Sequence, residues 1–161
     1  MYRRIVEEGH TLGMHSYSHS YRDIYRDLDS FAADLYEIQA LIQDITGVTS
    51  TYYRFPGGSS NMESKFNPGI MTRLTQMVIE KGYQYFDWNV DSNDWQGYNW
   101  TQLYNSVLSD ASELSTPVIL FHDTGMRENT VLVIEDIIKA LKNKGYKFGT
   151  LSQKTEPIQF G

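Results

Sequence analysis

Apolar positions recur along this chain at two different spacings, and the alternation between them outlines its elements. The clearest stripe is Phe31, Leu35, Ile38, Ile42 and Ile45. Steps of four and three residues keep one helical face inward. They predict a helix from Ser30 to Thr46, closed by Gly47. A second stripe, Ile70, Leu74, Met77 and Val78, predicts a helix from about Pro68 to Gly82. Two more helices are predicted over Trp100–Leu114 and Thr130–Asn143, the latter ending at Gly145. A short one, Tyr2–Glu8, stops at Gly9, a residue suited to a left-handed C-terminal cap.

Between these lie runs of β-forming residues. Strands are predicted at Thr11–His15, Thr51–Phe55, Tyr83–Trp88, Pro117–Phe121 and Tyr146–Leu151. Pro56-Gly57-Gly58 ends the second in a turn, and a polar loop, Asn89–Asn99, follows the third. The run Pro117–Phe121 is almost wholly apolar, which predicts burial on both faces. Regular alternation of strand and helix defines an α/β domain with a parallel sheet or barrel.

Composition narrows the picture. A length of 161 residues fits one domain, spanning residues 1–161, with a real core. An apolar fraction of 40% excludes a disordered chain. Net charge is −6 and no Lys/Arg cluster occurs, which argues against nucleic acid or an anionic membrane as partner. Cysteine is absent, so disulfides, thiolate metal sites and a cysteine nucleophile are excluded. No membrane-length apolar run or signal peptide is present. The twelve tyrosines and three tryptophans suit either a sugar-binding cleft or a core, with core the commoner fate.

In α/β folds, active sites gather where strands end and the following loops begin. Here the first strand leads to His15 and His19, and the second to Arg54 and its Pro-Gly-Gly turn. The third leads to Asp91, Asp94 and Trp95, and the fourth to His122 and Asp123. Four strand ends thus deliver titratable groups to one expected rim. His15 and His19 stand four apart and suit zinc, iron, nickel or cobalt if the segment turns back on itself. Alone, such a pair reads as two exposed loop histidines. His122 suits a general acid or base, with Asp94 or Asp91 to orient it. Arg54 could clamp a carboxylate, and the turn at Gly57 could offer a backbone N–H to an oxyanion. Trp95 and Leu120 could wall an apolar pocket or simply pack in the core.

The four clusters together resemble a known family. His15–His19 (HSYSH) is similar to the H-[ST]-x-x-H metal motif of the polysaccharide deacetylases, the NodB-homology or carbohydrate esterase family 4 enzymes. Arg54–Gly58 (RFPGG) resembles their R-x-P-x-G motif, Asp91–Trp95 (DSNDW) their D-x-x-D-W, and Leu120–His122 (LFH) their L-x-H. The motifs occur in the family's order and span almost the whole chain.

The resemblance implies a distorted (β/α) barrel and a hydrolase that removes N-acetyl groups from amino-sugar polymers such as peptidoglycan or chitin. It implies a divalent metal, zinc first, with cobalt, nickel or iron as alternatives. His15 and His19 would be ligands and His122 the acid, tuned by Asp94. Gly57 would hold the oxyanion, Arg54 would pair with the base, and Trp95 with Leu120 would cradle the acetyl methyl. The family's setting would be extracellular or at the cell wall.

The family's T-F-D-D-G motif, which supplies the base and an aspartate ligand, does not occur in this sequence. The expectation is therefore an incomplete barrel lacking its first strands, weak activity, and a homo-oligomer that covers the open edge. Two rival readings remain: a non-catalytic glycan-binding remnant, and an unrelated histidine hydrolase that uses Asp91 or Asp123 as a ligand.

Overall fold

The computed structural model describes residues 1–123 and 128–160. They form two compact units: Met1–Asp87 with the segment from Thr150 onward, and Trp88–Gly149.

The first unit holds α1 (Tyr2–Glu7), α2 (Tyr21–Ile24), α3 (Leu28–Thr46), β1 (Tyr52–Tyr53), α4 (Ile70–Glu80) and β2 (Gln84–Tyr85). α3 begins two residues before the predicted Ser30, because the Asp27 side chain accepts the Ser30 N–H at 2.7 Å and caps the helix there. Gly47 ends it at φ 75°, where an L side chain would be strained. Phe31, Leu35, Ile38 and Ile42 are buried as the stripe predicts, while Ile45 is half-buried. Burial of each contributes about 1.5–3 kcal/mol relative to exposure. They pack with Ile70, Leu74 and Val78 of α4 and with an aromatic group centred on Phe55. The Phe55 ring lies 5.5 Å from Phe31, 5.1 Å from Tyr53 and 5.3 Å from Tyr85.

β1 pairs in parallel with β2, Tyr52 opposite Gln84 and Tyr53 opposite Tyr85. On the other side of β1 the expected strand Thr11–His15 contributes one parallel bridge, Met14 to Tyr53. Met14 N donates to Tyr52 O and Arg54 N donates to Met14 O, both at 2.9 Å. That single bridge fixes where His15 leaves the sheet.

The second unit holds β3 (Val90–Asp91), α5 (Trp100–Ser112), β4 (Ile119–Leu120) and α6 (Glu128–Asn143). β3 lies inside the segment expected to be loop. Its residues pair in parallel with β4, Val90 opposite Ile119 and Asp91 opposite Leu120. Among the described residues β4 has a ladder neighbour on one side only. Val118, Ile119 and Phe121 are accordingly half-buried rather than enclosed on both faces. α5 starts with a reciprocal cap, in which Asn99 Oδ1 accepts Gln102 N–H and the Gln102 side chain accepts Asn99 N–H, each at 3.0 Å. Leu103, Val107 and Ala111 of α5 meet Val133, Ile137 and Leu141 of α6 over Val90.

The predicted strand Tyr146–Leu151 does not form a ladder. Tyr146 Oη instead donates to Ala111 O at 2.8 Å and Leu114 O at 2.7 Å. Those carbonyls lie at the end of α5, where helical partners run out. Lys147, Phe148 and Gly149 beyond it are exposed. No helix among the described residues is long and apolar enough to cross a membrane.

Candidate active site

The segment His15–His19 is shaped by α3. Asp34 is a carboxylate on the apolar side of that helix, three residues after Phe31 and four before Ile38. It accepts Tyr17 N–H at 2.9 Å and Ser18 N–H at 2.8 Å, one on each oxygen. Burial pushes its pKa up, but the bonds from Ser18, Ser16 and Tyr17 outweigh that and hold it below the ordinary carboxylate value. Ser16 and His19 adopt left-handed backbone, φ 80° and 53°, and His19 N–H donates to Ser16 Oγ at 2.9 Å. Asp34 thus anchors a loop that would otherwise relax out of this conformation.

The turn carries both imidazoles to one place, with ring centroids 5.2 Å apart and planes tilted by 60°. His15 Nδ1 lies 2.9 Å from Arg54 O. A carbonyl only accepts, so Nδ1 carries the proton and the neutral ring has its lone pair on Nε2. Metal-binding histidines are commonly oriented this way. The spacing also fits a shared ion: two imidazoles bound to one tetrahedral ion at about 2.0–2.1 Å place their centroids roughly 5 Å apart. Among the described residues no group of three His, Cys, Asp or Glu side chains could hold a metal. His15 and His19 therefore fit as two ligands of an ion, without a third from the described residues.

Beside His15 is a cavity of about 210 Å³ lined by Gly13, Met14, His15, Tyr53, Arg54 and Phe86, among others. Tyr53 Oη and Arg54 Nε are buried without a hydrogen-bond partner among the described residues. Burial lowers the Arg54 pKa, and the Asp87 charge offsets part of this.

The turn after Arg54 is held from beneath. Tyr25 Oη donates to Pro56 O at 2.6 Å. Asp87 accepts Ser59 N–H at 2.8 Å, Ser59 Oγ–H at 2.5 Å and Phe160 N–H at 2.8 Å. Gly57 itself is exposed, at φ 75°. A Cβ there would meet Asn61 Cβ at 3.0 Å, so conformation and space both require glycine.

In the second unit Asp94 opens a short 3₁₀ turn, Asp94–Gln96, and is almost fully buried. Among the described residues its carboxylate accepts three bonds: His122 N–H at 2.8 Å, His122 Nδ1–H at 2.6 Å and Thr130 Oγ1–H at 2.9 Å. Burial raises the Asp94 pKa, but these bonds and the His122 ring overcome it and the carboxyl titrates below its usual range. The His122 side chain remains 37% exposed. Of the two aspartates considered for orienting His122, Asp94 has the contact. Asp91 instead accepts Asn93 N–H at 2.8 Å and shapes the loop. Trp95 is exposed on the 3₁₀ turn, and Leu120 is a buried strand residue. Asp123 is exposed.

Sequence reasoning missed Asp34, Asp87 and Thr130. Asp34 had a signal, a charge set into an apolar helical stripe. Asp87 had another, a charge within the strand-like run Tyr83–Trp88. Thr130 had none that distinguishes it from any polar residue early in a helix.

A sequence model of the polysaccharide deacetylase family matches residues 1–67. The chain is 33% identical to the putative polysaccharide deacetylase YheN of Bacillus subtilis, over 97% of this chain and 54% of that protein. It is 32% identical to a peptidoglycan-N-acetylglucosamine deacetylase of Bacillus cereus, over 98% of this chain and 56% of the relative. Its structure superposes on the catalytic domain of peptidoglycan N-acetylglucosamine deacetylase from Eubacterium rectale with a TM-score of 0.96 and 35% identity, covering 100% of this chain and 74% of that one. The chain belongs to the polysaccharide deacetylase family. It spans about half the length of the curated relatives it matches.

Proposed function

We propose that this chain carries machinery of a metal-dependent deacetylase for N-acetylated amino-sugar polymers, with peptidoglycan N-acetylglucosamine as its substrate. In this reading both units belong to one catalytic domain, an incomplete (β/α) barrel, working outside the cell at the wall. The observation that carries it is the buried Asp94 carboxylate 2.6 Å from His122 Nδ1, in a chain of this family. The family membership, and relatives named as peptidoglycan deacetylases, support the choice of polymer.

Asp94 fixes the tautomer of His122. With Nδ1–H donated to the carboxylate, proton exchange is confined to Nε2. The ring takes a proton from solvent there and passes it to the departing amine as the C–N bond breaks, while the adjacent carboxylate offsets the charge the ring carries. Thr130 holds the second carboxylate oxygen and keeps Asp94 from rotating.

His15 and His19 are the residues that would hold a divalent ion, zinc first, with cobalt, nickel or iron as alternatives. When bound, such an ion polarises an acetyl carbonyl and activates water. The Gly57 N–H donates to the carbonyl oxygen as charge builds on it. Arg54, at the cavity beside His15, would pair with the base, which the family's missing motif supplies. Trp95 and Leu120 enclose the acetyl methyl.

The test is acetate release from N-acetylglucosamine oligomers, with zinc supplied or removed by a chelator. The proposal expects release that is zinc-dependent but weak, because the family motif that supplies the base and an aspartate ligand does not occur in this sequence. Oligomer binding with no release under either condition would instead favour a glycan-binding module.

A further inference from the structure

A second opening in the first unit begins at His19 and runs away from it. It encloses about 610 Å³ and is lined by His19, Tyr21, Arg22, Glu63, Lys65 and Phe66, among others. Its two kinds of surface are distinct. Tyr21 lies edge-on to the His19 ring at 5.4 Å and continues the wall from the histidine pair. Phe66 is 44% exposed, and the Arg22 guanidinium sits over it, 5.7 Å from the ring centroid. Such a contact holds a long cationic side chain in place without neutralising it.

The charge of this groove runs against that of the molecule. The chain carries −6 overall, yet here two cations face one carboxylate, Glu63. Neither Arg22 nor Lys65 forms an ion pair among the described residues. Arg4, Arg26 and Lys139, by contrast, each have an acidic neighbour. The groove therefore presents unneutralised positive charge, next to an aromatic face suited to sugar rings, at the edge of the histidine pair.

We propose that this groove binds the stretch of glycan next to the reacting sugar, and that Arg22 and Lys65 select a polymer bearing carboxylates over a neutral one. The inference rests on the deacetylase reading and sharpens it. A cell-wall glycan carries carboxylates on its peptide substituents, or on the lactyl group where no peptide is attached, whereas a chitin chain has none. Guanidinium recognises a carboxylate in a planar, two-bond geometry, and the ammonium adds a mobile second charge. Tyr21 and Phe66 contact either polymer, so discrimination lies in the two cations.

Binding, rather than turnover, tests this directly. Calorimetric titration of the full chain would use soluble peptidoglycan fragments and, separately, N-acetylchitohexaose. The double variant Arg22→Gln/Lys65→Gln is expected to lose about five- to tenfold in affinity for the fragments, as two partly exposed ion pairs allow. Its affinity for chitohexaose should be unchanged. Wild-type affinity for the fragments should fall as salt rises from low to molar concentration, because screening shortens the reach of exposed charges from about 30 Å to about 3 Å. Glu63→Gln should strengthen fragment binding. Equal loss for both glycans, no loss for either, or no binding by the wild type would each overturn the inference. Binding with the expected selectivity but no acetate release would leave the groove standing and remove the deacetylase reading.

Discussion

Asp94 and Arg54 are both charged groups set into half-closed surroundings, yet their neighbourhoods are built on opposite plans. Around Asp94 three donors of the described residues converge on one buried carboxylate, and the histidine it holds keeps an exposed edge. Beside Arg54, two polar atoms, Arg54 Nε and Tyr53 Oη, are buried without a partner among the described residues, next to a cavity. The first arrangement is self-contained. Its members depend on one another, so removing one leaves others stranded in low dielectric. In the second these two atoms make no hydrogen bond among the described residues, so removing the Tyr53 hydroxyl should cost little. The His15–His19 turn belongs with the first plan, since Asp34 satisfies it from beneath.

The largest effect expected from this contrast is on activity. Asp94→Asn keeps the side-chain shape but replaces an anion that accepts three bonds with a neutral amide. Acetate release should fall by about 10²–10⁴-fold, the range general acid–base groups supply. Asp94→Ala should also destabilise the fold by about 3 kcal/mol, read from urea unfolding, because three donors lose a buried charge. Retention of both activity and stability by Asp94→Ala would erase the distinction drawn here.

Asp34→Ala comes next. It strands the Tyr17 and Ser18 N–H groups and frees the left-handed turn. Stability should fall by about 2 kcal/mol, and zinc binding by His15 and His19 should weaken by about 10–100-fold, as for other groups that orient metal ligands. Calorimetry with zinc measures the second effect.

Acid sharpens the same contrast. Both Asp34 and Asp94 have folded-state pKa values below the unfolded carboxylate value of about 3.9. For a depressed carboxylate, the stabilisation is fully present above the unfolded pKa and is lost as pH falls through the folded one. Melting temperature should therefore hold down to about pH 4 and then drop steeply, and the drop should become shallower in Asp94→Asn.

The smallest effect is expected at Tyr53. Tyr53→Phe removes a buried hydroxyl that has no partner among the described residues, so stability should stay within about 1 kcal/mol of wild type or rise slightly. A loss like that of Asp94→Ala would show that the hydroxyl is satisfied after all.

The long helices were legible from their apolar stripes: Phe31, Leu35, Ile38 and Ile42, and Ile70, Leu74 and Val78, are buried where their spacing places them, while Met77 is half-buried. Three strands were legible in position but not extent, and β3 formed where a loop was expected. β-forming runs of five or six residues yield ladders of two, because pairing is decided by neighbours rather than by the run itself. Tyr146 shows the same limit from another side: its hydroxyl found two helix-end carbonyls, and the expected last strand did not form. At the site, the histidines and Asp94 stood out as titratable groups at strand ends. Asp34 and Asp87 stood out only as charges set into apolar runs and Thr130 not at all, because their roles lie in bonds to residues between 16 and 73 positions away. Only the folded chain brings those partners together.

The central claim is that His122, held by Asp94, carries the proton in deacetylation. Acetate release by wild type and by His122→Ala, with glycan binding measured on the same samples, tests it most directly. Glycan binding should stay close to wild type in the variant, with acetate release lower by about 10²–10⁴-fold. Undiminished release by His122→Ala would contradict it.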